Sequence, residues 1–139
     1  NYSNKIAMSL SDKFCVDRHK KNFLDLVKNK LDITFANEQE ILELIDATSF
    51  NDVISFGKKI NKTLVITRSD KGSVVINQNE VVECKSQKNL KIVDLTGAGD
   101  LFAAGFLHGY INKMTLQENL NKGTEMASKV IQKIGARLD

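Results

Sequence analysis

The stretch Asp94–Asp100, DLTGAGD, runs directly into the apolar segment Leu101–Ile111, LFAAGFLHGYI, and the reading of this junction decides the fold. The chain has only eight glycines, and two of them flank Ala98 here, between two aspartates. The segment behind them, with Ala103, Ala104, Gly105 and Gly109, predicts a buried helix whose small residues let a neighbour pack close. Bare glycines ahead of a helix bring backbone N–H groups to its positive end, which favours an anion. Spacing removes two familiar glycine loops. A P-loop needs a Lys after its second glycine, and none follows; a dinucleotide fingerprint needs a third glycine where Phe102 stands. What remains is an anion hole of Gly97, Ala98 and Gly99, with Asp100 in the first helical turn, where a carboxylate can accept a proton from a hydroxyl attacking phosphorus. The competing reading makes Asp94 or Thr96 a helix cap, the glycines a tight turn, and Asp100 a partner of the helix dipole.

Outward from this junction, β and α signals alternate. Lys5–Leu10 reads as a buried strand, and apolar residues at helical spacing (Phe23, Leu24, Val27, Leu31) predict a helix over about Arg18–Lys30. Ile33–Ala36 repeats the strand signal, and Asn37 opens a second helix on EQEILELI. A third helix is expected over Phe50–Lys59, then a strand at Leu64–Thr67 and a turn at Ser69–Gly72. The segments SVVIN and EVVEC predict an antiparallel ribbon. After the helix behind DLTGAGD, Thr115 and Glu118 form a capping-box pattern, and Leu116, Leu120, Ala127, Ile131 and Ile134 share one stripe of a last helix. The fold class is therefore α/β: a mostly parallel sheet flanked by helices, with a small antiparallel hairpin.

Composition narrows the classes further. With 139 residues, 42% hydrophobic and 27% charged, the chain is sized for one globular domain spanning 1–139. The 20 basic residues exceed the 17 acidic ones by three but are scattered, so neither a nucleic-acid footprint nor a stacking platform is expected. Two distant cysteines, Cys15 and Cys84, have no metal-ligand spacing and point to reduced thiols in a cytoplasmic protein. The longest apolar run falls short of the roughly 20 residues a membrane span requires, and no signal peptide opens the chain. His19 and His108 stand alone and offer no rival chemistry.

Residues Asp94–Leu107, DLTGAGDLFAAGFL, resemble the C-terminal signature of the ribokinase-like PfkB family, which includes ribokinases, fructokinases and adenosine kinases. Leu95 stands where that family usually carries Thr, Ser, Pro or Val. Asn37-Glu-Gln-Glu40 resembles the family's N-x-x-E motif, whose glutamate helps organise Mg²⁺ and phosphates through water; the same residues also make a plain capping pattern. Thr67–Gly72, TRSDKG, resembles the T-x-G-x-x-G segment that passes over the nucleotide, with Ser69 replacing the first glycine. Ile134–Arg137 resembles the closing G-A segment, whose preceding helix walls the adenine pocket; Thr124 aligns where ribokinases often place Asn. LSDKFCVDRH and ITFANEQE are similar to bacterial adenosine kinase or fructokinase members.

The resemblance implies an ATP- and Mg²⁺-dependent transfer to a hydroxyl of a sugar or nucleoside, adenosine, fructose or ribose in class. Asp100 would be the base, and Gly97, Ala98 and Gly99 the phosphate-binding amides. Asn37 and Glu40 would support Mg²⁺ through water, and Thr67, Gly72 and Thr124 would line the nucleotide path. It also implies a monovalent cation such as K⁺ near Asp94, and a homodimer in the complete protein. The matches correspond to the family's C-terminal part; its sugar-binding N-terminal portion and lid have no counterpart in these residues. An alternative is therefore a nucleotide-binding fragment without transfer activity, and a third reading is a purely structural α/β domain.

Overall fold

Five strands form one mixed sheet in the order β1-β2-β3-β4-β5, which is also their order in the chain. The computed structural model describes residues 6–10, 19–68, 71–85 and 95–138, with side chains in the last segment over 101–127. The strands are β1 (Ala7–Ser9), β2 (Ile33–Asn37), β3 (Thr63–Thr67), β4 (Ser73–Asn77) and β5 (Glu80–Cys84). The first three pair in parallel, Ala7 against Ile33 and Ile33 against Thr63. Parallel neighbours need a crossover, and helices supply it. Helix α1 (Lys20–Asp25), continued by a π turn (Leu26–Lys30), links β1 to β2; α2 (Glu38–Leu44) and α3 (Phe50–Lys59) link β2 to β3. Between β4 and β5 only Gln78 and Asn79 intervene, a connection short enough for an antiparallel hairpin alone. Two helices close the chain, α4 (Leu95–Ile111) and α5 (Leu116–Leu138).

The chain divides into two compact units, 1–67 with 74–82, and 68–73 with 83–139. In the first, alternate strand residues Ala36, Leu64, Ile66, Val74 and Ile76 build a core with Val27, Leu31, Ile41, Leu44 and Val53 from the helices. The π turn serves this core. Leu31 N–H reaches back five residues to the Leu26 carbonyl at 2.8 Å, and the wider turn lets both Val27 and Leu31 bury where a regular helix to Lys30 was expected. Gly57 brings α3 onto β4: a Cβ there would meet Ile76 at 2.8 Å.

In the second unit, α4 and α5 meet over glycines rather than large side chains. A Cβ on Gly105 would lie 2.6 Å from the Lys122 carbonyl oxygen, and one on Gly123 would lie 2.8 Å from that of Phe102. Gly109 is closed off by the Asn119 amide. Phe106 and Leu120 are fully buried beside this seam. The expected capping box opens α5: Glu118 N–H donates to Thr115 Oγ1 at 3.1 Å, and Thr115 N–H to Glu118 Oε1 at 3.3 Å. Helix α4 is not buried all round, because Ala104 and His108 are exposed and Ile111 is 58% exposed.

Candidate active site

Asn37 both ends β2 and caps α2. Its extended backbone (φ −85°, ψ 169°) turns the side chain onto the helix, where Oδ1 accepts from Glu40 N–H at 2.8 Å. Asn37 N–H donates to Glu40 Oε1, also at 2.8 Å. The N-x-x-E pattern and the capping box are therefore one structure, and it leaves Glu40 buried with its carboxylate held in place. On the next strand Thr67 is the register partner of Asn37. Both residues thus lie at the carboxyl ends of parallel strands, where open α/β sheets bind their ligands. Among the described residues, no three His, Cys, Asp or Glu side chains converge as a metal cage.

The second unit holds the remaining candidates. Gly72 sits at φ 95°, a backbone region that only glycine enters without strain. Its carbonyl accepts from Arg68 N–H at 2.7 Å, closing a tight loop before β4. Helix α4 opens at Leu95, so Gly97 is its third residue and Asp100 its sixth, one turn deeper than the sequence suggested. Glycine acts as sequence punctuation, yet each costs only about 1 kcal/mol inside a helix, so the boundary runs ahead of the Gly97-Ala98-Gly99 run. In a helix starting there, the amides without an intrahelical partner belong to the first turn, Gly97 among them.

Thr124, on α5, donates its hydroxyl to the Leu120 carbonyl at 2.9 Å and lies 3.5 Å from Cys84 Sγ. That thiol is also 3.2 Å from Asn121 Oδ1. Cys84 was expected only as a free thiol, which it is, and its place beside Thr124 is new. Counting forward from the two-residue hairpin turn sets Cys84 opposite Ser73, whereas its approach to α5 depends on packing. Asp94, Ser69, Asp70 and Cys15 lie outside the described residues.

A parallel sheet in the first unit, with polar residues at the carboxyl ends of its strands, and in the second a helix that begins L-T-G-A-G-D, define an α/β protein. The model of the pfkB family of carbohydrate kinases matches residues 2–139, and the chain belongs to that family. It is 34% identical over 121 residues to a cytidine kinase of Thermococcus kodakarensis, a match covering 84% of this chain and 42% of the relative. Its fold is similar to adenosine kinase from Sinorhizobium meliloti, with a TM-score of 0.88 and 40% identity over 96% of this chain and 41% of that one. A probable sugar kinase from Rhizobium etli aligns with a TM-score of 0.86 and 40% identity, over 94% of this chain and 40% of that one. The fold is therefore ribokinase-like, as the motifs implied. The chain spans about two fifths of the length of the relatives it matches. Among the described residues, no helix is long and apolar enough to cross a membrane.

Proposed function

We propose that the chain contributes the nucleotide-binding and phosphoryl-transfer part of an ATP-dependent kinase acting on a hydroxyl of a sugar or nucleoside. The observation that carries this is the position of Gly97-Ala98-Gly99 within the first turns of α4, immediately before Asp100. Amides of the helix's positive end hold the charge of the transferred phosphoryl group, and the glycines clear the approach to them. Asp100 takes the proton of the attacking hydroxyl. Thr67, Gly72 and Thr124 border the path of the nucleotide.

Mg²⁺ fits as an ion carried by the phosphates. Glu40 is a hard oxygen donor held rigidly by the Asn37 amide, which suits contact through water, and Mg²⁺ characteristically keeps several waters and takes one or two carboxylates. The ion would neutralise phosphate charge. A monovalent cation near Asp94 belongs to the same reading, as do a cytoplasmic location and a homodimer.

The test is ADP production from Mg·ATP with adenosine, cytidine, fructose and ribose as acceptors, alongside a melting shift with Mg·ATP alone. One acceptor should support turnover, and Asp100→Asn should lower it by about 10²–10⁴-fold while the melting shift persists. Near-normal turnover in Asp100→Asn would remove the aspartate from this role. A melting shift without acceptor-dependent ADP would favour a nucleotide-binding piece without transfer activity.

A further inference from the structure

The π turn and α3 both run down to the amino ends of strands, the first into β2 at Ile33 and the second into β3 at Thr63. Ile33 is the register partner of Thr63, so the two helix ends come out at one level, at the other end of the strands from Asn37 and Thr67. Between these ends and the turn that follows α2 lies a solvent-open hollow of about 760 Å³. Ile45, Phe56 and Ile60 line it. Each packs on the core beneath and is only half-buried, which leaves an apolar floor.

The charges around this floor do not cancel. Lys28, Lys59, Asp46 and Asp52 also line the hollow. Asp46 is already met by Lys20, whose Nζ lies 2.5 Å from its Oδ1. Lys28 and Lys59 are exposed and make no ion pair among the described residues. With Asp46 paired, two cations and the single carboxylate of Asp52 remain, an excess of positive charge. A place in the last turn before β2 or β3 accounts for a lysine at a helix end, but not for the half-buried apolar floor beside both of them.

We propose that this hollow binds a small amphipathic anion, a carboxylate carried on an apolar body, with the body on Ile45, Phe56 and Ile60 and the carboxylate met by the ammonium groups of Lys28 and Lys59. Small-molecule sites are concave and mostly apolar, of about 300–1,000 Å³, with a few polar or charged groups that fix orientation. Lysine brings its charge on a long flexible stem, so the two ammonium groups follow the head group rather than dictate its geometry. A flat membrane surface would leave the concave floor uncovered, whereas a small ligand covers it. Binding to the folded chain alone raises its melting temperature.

Naphthoate is the probe, titrated into the full chain by calorimetry, with cationic naphthylmethylammonium as its charge-reversed counterpart and a melting curve recorded with each. Naphthoate should bind and raise the melting temperature, and the cation should bind about tenfold more weakly. Lys28→Gln combined with Lys59→Gln should weaken naphthoate about tenfold. Ser55 is an exposed residue of the lining, and Ser55→Trp should fill the hollow and abolish binding while the melting temperature of the free chain stays nearly unchanged. The absence of naphthoate binding, equal binding of anion and cation, or naphthoate binding that survives both sets of substitutions would each overturn the proposal. So would sedimentation of the chain with phosphatidylglycerol vesicles, lost in the double lysine variant, while naphthoate fails to bind, since the lysines would then serve a membrane.

Discussion

The junction of β2 with α2 and the seam between α4 and α5 are held by opposite means. At the first, two reciprocal hydrogen bonds between Asn37 and Glu40 tie the end of a strand to the start of a helix. At the second, the glycines themselves bring no side chain, and Gly105 and Gly123 lie against the carbonyls of Lys122 and Phe102. Water can replace a lost cap, at least in part. Nothing can yield where a methyl group would meet a backbone oxygen, because carbonyls in a helix move only if the helix moves. The polar junction should therefore tolerate change and the glycine seam should not.

Gly105→Ala is the sharpest way to break that contrast. Its added carbon falls 2.6 Å from the Lys122 oxygen, and the expected loss is about 2–3 kcal/mol in urea unfolding. An unchanged midpoint would mean that the two helices separate freely and that the seam is not the constraint described. Asn37→Ala removes one hydrogen bond and strands one N–H of α2, for which about 1 kcal/mol is expected by the same measurement. A loss as large as that of Gly105→Ala would erase the difference between the two regions. The smallest effect should have the opposite sign. Thr34 in β2 is 1% exposed and its Oγ1 is unpartnered among the described residues, so Thr34→Val keeps the shape, removes an unpaired hydroxyl, and should stabilise by up to about 1 kcal/mol. Destabilisation there would show that the first unit has a polar partner for Thr34.

Much of this was legible in the residues. Phe50–Lys59 is a helix over the expected span, and SVVIN and EVVEC are the strands of the hairpin, because short β-branched runs bounded by turns and strong helical periods leave little choice. The N-x-x-E pattern carried its own geometry, since capping fixes both partners locally. The features that escaped depend on packing. The π turn at Leu26–Lys30 follows from burying Val27 and Leu31 together, and the early start of α4 follows from glycines being affordable in a first turn. The exposure of Ala104 and Ile111 cannot be read from an apolar run that has no polar face to orient it. Ser73 and Cys84 are eleven positions apart in the chain, and only the register of a hairpin sets them side by side.

The pairing that sets Asn37 opposite Thr67 is made by backbone groups of β2 and β3. Residues thirty positions apart are held at one level without any help from their own side chains. In evolutionary terms the sheet is a fixed rack: side chains at its carboxyl ends can be exchanged singly, with neither the register nor the core beneath having to change. Proteins named for cytidine, adenosine and sugars can then share one scaffold, their differences written at strand ends and in the loops that follow.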